Sequence, residues 1–174
     1  MPLSLVAGPA LIAQIFGLVV NGTASAPLGI WRKAGAFTVG PAARGRYVLF
    51  CPPNTPAFRA ASDGGFVARG RCPGGYVPLI KQVMGVPGDT IEVADGVIIN
   101  GVPVANGGIS AEVAAKAGAD RPRRFTLAPG QLWMMSTYSG RSFDSRYFGP
   151  IESTEVEAFV DPLVVRQHWP RAAH

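Results

Sequence analysis

Histidine is almost missing from this chain: His168 and His174 are the only two, and both lie outside every segment discussed below. That leaves no histidine to act as the base of a Ser-His-Asp triad, and no metal or cofactor site is expected. Cysteine is equally scarce. Cys51 and Cys72 stand too far apart for a CxxC metal or redox pair. Their even count is compatible with one disulfide and equally with two buried or free thiols, and compartment decides between them. Charged residues make up 16% of the chain against 48% hydrophobic, which excludes a disordered tail and a highly charged coiled coil. There are no internal repeats and no low-complexity tracts.

What is abundant is glycine (22) and proline (16), scattered and not periodic. That suits a β-rich fold with many turns and argues against collagen or a helix bundle. At 174 residues the chain holds one domain with a real core and does not need two. The net charge is +5, carried by small groups such as Arg32-Lys33, Arg69/Arg71 and Arg121/Arg123/Arg124. No basic helix, zinc finger or aromatic-interleaved motif accompanies them. No nucleic-acid partner is expected; a solvated basic surface comes first, and attraction to anionic headgroups second.

Leu3 to Val20, LSLVAGPALIAQIFGLVV, carries no charge. As a helix it would be about 27 Å long, close to the hydrocarbon thickness of a bilayer. Three readings are open: a spanning anchor, a cleaved signal peptide ending at Ala24-Ser25-Ala26, or a core helix. No Lys or Arg precedes Arg32, so a signal peptide's positive region is missing, and charge bias does not support an N-in orientation; taken alone it favours the reverse. The anchor, over residues 1–22, is the reading carried forward.

Beyond Gly29 the pattern is strands and turns. Tyr47–Phe50 is a short apolar run stopped by Cys51-Pro52-Pro53, and residues 51–76 read as a long Pro/Gly/Ala-rich excursion. Leu79–Met84 is a strand that ends at Pro87-Gly88. TIEVADGVIINGVPV, residues 90–104, reads as a three-stranded meander with turns at Asp95-Gly96 and Asn100-Gly101. Ser110 to Gly118 is a short helix capped by its serine, and Leu132–Ser136 and Val156–Val160 are further strands.

Three segments carry candidate chemistry. Ser25 sits in TASAPLGIW, where Pro27 and Gly29 can shape a turn that exposes a nucleophile; alone, it is a serine in a loop. Lys81 lies inside the apolar strand, either on an exposed face or buried, and burial would lower its pKa and free an amine to take a serine proton. SFDSRYFGP, residues 142–150, holds Ser142, Asp144 and Arg146; the acid and base can pair and brace the loop, or form an incidental charge pair at a hairpin tip.

Together these segments resemble the boxes of the signal-peptidase family that uses a Ser/Lys dyad, and more specifically its TraF-type branch of conjugative-transfer peptidases. Ser-Ala-Pro-Leu-Gly-Ile-Trp is similar to the nucleophile box, KQVMGVPGD to the base box and SFDSRYFGP to the closing box, with CPGGY at 72–76 also TraF-like. Order and spacing hold from about residue 20 to 163. Two departures from general signal peptidases favour that branch: Ala26 leads straight to Pro27, and Lys81 is followed by Gln82 where Arg is usual.

The resemblance implies an all-β, signal-peptidase-like domain with small helical elements, residues 23–174, preceded by one N-terminal transmembrane helix. The domain would stand in the periplasm on the outer face of the bacterial inner membrane. Ser25 would be the nucleophile and Lys81 the general base, with Asp144 required and Arg146 beside it. Ser142 would hold the amine, and Thr23 with the Ser25 backbone N–H would face the oxyanion. A periplasmic domain would pair Cys51 with Cys72. The substrate would be a propilin or another signal-bearing precursor, and some family members also cyclise the trimmed pilin. The alternatives are a general type I signal peptidase and a non-catalytic, membrane-anchored envelope assembly protein.

Overall fold

The computed structural model describes residues 17–117 and 123–166. Two antiparallel sheets dominate. The larger has seven strands in the order β1-β2-β11-β3-β4-β9-β10, the smaller four in the order β7-β6-β5-β8. In the large sheet, β1 (Leu18–Asn21) and β2 (Leu28–Lys33) form a hairpin; β3 (Tyr47–Phe50) and β4 (Leu79–Gly85) lie at the centre. β9 (Gln131–Met135), β10 (Ile151–Glu152) and β11 (Val156–Arg166) complete it. The small sheet holds β5 (Thr90–Val93), β6 (Val97–Ile99), β7 (Val102–Pro103) and β8 (Arg123–Thr126). Among the described residues three short α-helices accompany the sheets: α1 (Pro56–Asp63), α2 (Ala111–Ala117) and α3 (Ser145–Phe148).

The meander appears where the turn chemistry puts it. Asn100 and Gly101 both take positive φ, 51° and 79°, as the tight β6–β7 connection requires. Ser110 caps α2, its hydroxyl 3.5 Å from the Val113 N–H, while Gly118 lies outside the described residues. The excursion is more ordered than its composition suggests. Thr55 caps α1 with Pro56 in the first turn, and a disulfide joins Cys51 to Cys72, Cα atoms 5.3 Å apart. A Cβ on Gly74 would collide with Pro52 O, which accounts for glycine in CPGGY beside that bond.

The N-terminal run is corrected at its end. Residues 3–16 lie outside the described residues, but Leu18–Asn21 are a strand, not the last turn of a helix. Gly17 turns the chain at φ +62°, and the Val19-Val20 pair fits the open edge of β2 in register from Leu18↔Arg32 to Asn21↔Gly29. The boundary of an anchor at residue 22 therefore does not hold. Among the described residues no helix is long and apolar enough to cross a membrane.

Three apolar clusters form the core. One, with Ala26, Trp31, Leu49, Ile80 and Val160, underlies the turn between β1 and β2. A second packs the small sheet against Trp133 and Met135. The largest lies on the other face of the central strands, where Phe58, Phe143 and Phe148 pack ring against ring at 4.7 to 5.5 Å between centroids.

Candidate active site

β4 is central, paired with β3 along one edge and β9 along the other, and apolar clusters lie on both of its faces. The two-residue period of a strand sends Ile80 into the cluster below the β1–β2 turn, and Leu79, Lys81 and Val83 to the opposite face, where Leu79 and Val83 join the largest core. Lys81 is thus placed among apolar neighbours by pattern alone; it is 3% exposed. Burial lowers its pKa from 10.5 to about 8, Asp144 opposing that shift and Arg146 adding to it. Its Nζ donates to Ser142 Oγ at 3.0 Å, and Ser142 is itself buried.

Ser25 sits on the β1–β2 turn. Ala26, beside it, is fully buried and Trp31 Nε1 donates to Pro27 O at 3.0 Å, so the turn is pinned from below. A Cβ on Gly29 would run into Val164 O of β11, which explains the glycine of the APLGIW segment. Ser25 Oγ lies 3.1 Å from Thr23 Oγ1. Among the described residues no hydrogen bond links Ser25 to Lys81, yet the two side chains line one cleft of about 340 Å³. Thr23 to Ser25 form one wall, Leu79 and Lys81 another, and Phe66 with Val67 come from the disulfide-closed excursion. Tyr138, Ser139 and Arg141 to Phe143 supply the remaining side.

Asp144 does not line that cleft. It is fully buried and caps α3, accepting from Arg146 N and from Ser136 N, the latter at 3.0 Å. β10 pairs with β9 only at Gln131 and Leu132; beyond them Ser145 Oγ accepts from Met134 N at 2.9 Å and Asp144 accepts from Ser136 N, replacing the missing strand. Two bonds of 2.7 Å tie Asp144 to the Arg146 guanidinium. Arg146, also fully buried, reaches the carbonyls of Asn106 and Gly108 at 2.8 Å and of Gly140 at 3.2 Å. It thereby joins the loop after β7 to the cleft-lining loop after β9.

Sequence reasoning passed over Asn21. At 8% exposure it donates from Nδ2 to the carbonyls of Thr23, Ala26 and Pro27 at 3.0 Å each, and accepts from Thr23 on Oδ1. Nothing in an Asn-Gly-Thr string distinguishes such a hub from an ordinary turn.

The model of the family described as signal peptidase, peptidase S26, matches residues 10–164. The chain belongs to this family. Within it, the chain is 38% identical over 154 residues to the plasmid transfer protein TraF of Escherichia coli, covering 85% of this chain and 83% of that one. It is 36% identical over 162 residues to the conjugal transfer protein TraF of Agrobacterium fabrum, covering 90% and 87%. With the probable conjugal transfer protein TraF of Sinorhizobium fredii it shares 40% over 144 residues, covering 80% and 73%. The crystal structure of a signal peptidase I from Enterococcus faecalis aligns with 70% of this chain and 98% of its own at a TM-score of 0.37 and 21% identity. Membership of the S26 family makes the chain a serine peptidase, and the TraF-type likeness read from its boxes extends over most of its length.

Proposed function

We propose that this S26 peptidase is a membrane-tethered endopeptidase of conjugative transfer. It cleaves a propilin or another signal-bearing precursor at the outer face of the inner membrane, with Ser25 as nucleophile and Lys81 as general base. The observation that carries the reading is one cleft holding a serine hydroxyl on a pinned turn and a buried lysine whose pKa is lowered to about 8. A neutral amine at that position has a lone pair to accept the serine proton. Because one Nζ hydrogen is committed to Ser142 at 3.0 Å, the rotation of the amine is restrained.

At rest Ser25 pairs with Thr23. Substrate entry turns the Ser25 O–H toward Lys81 Nζ, and the alkoxide oxygen bonds to the scissile carbonyl carbon as Nζ takes the proton. Collapse breaks the C–N bond, the leaving amine receives the proton back, and an ester on Ser25 remains. Water or a second amine then bonds to the ester carbon as Lys81 Nζ takes its proton, and Ser25 Oγ leaves with that proton returned to it, giving hydrolysis or a cyclised product. The Ser25 N–H faces the oxyanion, with the Thr23 hydroxyl beside it. A second groove of about 370 Å³, lined by Leu18–Thr23 and Val77–Ile80, shares Thr23 and Leu79 with the cleft and suits an extended chain laid between two strands.

The conjugative setting rests on the names of the TraF relatives, the periplasmic location on the Cys51–Cys72 disulfide, and the tether on the uncharged residues before Gly17. The test is processing of a propilin precursor in membranes by wild type, Ser25→Ala and Lys81→Ala. Processing by wild type alone supports the reading, and processing by Ser25→Ala removes it.

A further inference from the structure

Asn21 ends β1 opposite Gly29 of β2, at the mouth of the turn that carries Ser25. Its amide orientation is dictated by its surroundings. Nδ2 faces three carbonyl oxygens at 3.0 Å, so the reversed amide would set an oxygen against all three and its NH₂ against the Thr23 N–H. The atom near Thr23 is therefore Oδ1, which has no hydrogen to give. Its 3.1 Å bond to Thr23 Oγ1 must use the Thr23 hydroxyl hydrogen. A hydroxyl has one hydrogen. The 3.1 Å bond between Thr23 and Ser25 must then be donated by Ser25. The chain of bonds has a direction, Ser25 to Thr23 to Asn21.

We propose that Asn21 is a positioning residue that acts through the Thr23 hydroxyl to aim the Ser25 hydroxyl. This rests on the reading of Ser25 as nucleophile. Asn21 keeps a Thr23 lone pair facing Ser25, which holds the serine in one rotamer and parks its proton away from Lys81 until substrate arrives. It also keeps the Thr23 hydrogen engaged, so Thr23 can donate to an oxyanion only by rotating away from Asn21. Without Asn21 the Thr23 hydroxyl is unanchored, and Ser25 loses the partner that fixes it. A misplacement on the order of 1 Å costs about 100-fold in rate.

The experiment follows acylation of the full chain by an activated aryl ester of a short apolar peptide, read as the leaving-group burst and as added mass. Ser25→Ala is the control: if it is still acylated, the nucleophile reading itself fails, whatever Asn21 does. With that control silent, Asn21→Ala should lower the acylation rate constant roughly 10- to 100-fold while the apparent ester affinity moves less than about threefold. Thr23→Val should produce a similar loss, and Thr23→Ser should restore it. In a Thr23→Val background, adding Asn21→Ala should cost less than about threefold, because the path through the hydroxyl is already gone. The proposal is overturned if Asn21→Ala acylates like wild type, or if the two losses multiply, which would make Asn21 only a brace of the turn. Should Asn21→Ala not fold by circular dichroism, wild-type rates in Thr23→Val would overturn it just as well.

Discussion

Lys81 and Ser142, 61 residues apart in the chain, meet through a buried hydrogen bond of 3.0 Å that ties the central strand to the loop after β9. The bond exists because the strand period aims Lys81 into the apolar face, where an amine without a partner would be costly. The same placement makes the lysine a weaker base in the folded protein than in the unfolded chain.

The pH dependence follows. A base with a pKa of about 8 is mostly protonated at pH 7 and mostly neutral at pH 9. Acylation of Ser25 should therefore rise about tenfold per pH unit below 8 and level off above it. Stopped-flow acylation between pH 6 and 10 measures this; a plateau already reached at pH 6.5 would contradict Lys81 as the base. Stability should move the same way. Between about 8 and 10.5 the unfolded chain binds more protons than the folded one, so stability rises with pH across that window and is flat below it.

Lys81→Met removes the burial cost altogether. It should be inactive and more stable than wild type at pH 7, by an amount on the order of 3 kcal/mol at most, with the gap closing toward pH 10.5. Thermal unfolding at pH 7 and 10 reads it. Lys81→Arg should be inactive and destabilised, since a guanidinium cannot shed its proton to escape burial.

Asp144 and Arg146 are both fully buried, and they share two bonds of 2.7 Å. Removing either leaves the other charge buried and unpaired, which costs about 3–5 kcal/mol. Asp144→Ala and Arg146→Met should each show that loss in urea unfolding, and the double variant should be more stable than either single one. Losses below about 1 kcal/mol would mean that Asp144 has a role other than holding this loop.

Much of the candidate site was legible because short boxes carry it in order. Ser25, Lys81 and Ser142 do line one cleft. The strands Tyr47–Phe50 and Leu79–Gly85, the meander and α2 also follow local pattern and turn residues. What was not legible depends on partners remote in sequence. Leu18–Asn21 continues an apolar run, and only the open edge of β2 makes it a strand. α3 is four residues long, so the sequence left Asp144 and Arg146 open between a bracing pair and a hairpin tip, and gave no sign of the N–H groups that β9 supplies to Asp144 and Ser145. Phe66 and Val67 reach the cleft only because α1 and the disulfide fold the excursion back.

That excursion makes a prediction of its own. Cys51 and Cys72, separated by 21 positions, close a loop worth about 3 kcal/mol in the chain-entropy account. The double Cys→Ala variant should unfold at lower urea by that amount. It should also weaken ester affinity more than acylation rate, because Phe66 and Val67 line the cleft and carry no reacting group. Equal stability with and without reductant would contradict the bond's contribution.

β1 begins at Leu18, and the bonds that hold the Ser25 turn begin at Asn21. A protein lacking residues 1–16 keeps both, and should fold and acylate with the small ester at close to the rate of the full chain. A protein lacking residues 1–22 loses β1, exposes the edge of β2 and removes Asn21, and should acylate far more slowly even where it folds. Processing of a membrane-embedded precursor should separate from ester acylation in the shorter deletion. If residues 1–16 tether the enzyme, their loss lowers the effective concentration of enzyme at its substrate, and precursor processing falls while ester acylation does not. Restoring an unrelated spanning segment in front of Gly17 should recover processing. Equal precursor processing with and without residues 1–16 would contradict the tether, and a dead ester reaction in that deletion would place those residues in the fold itself.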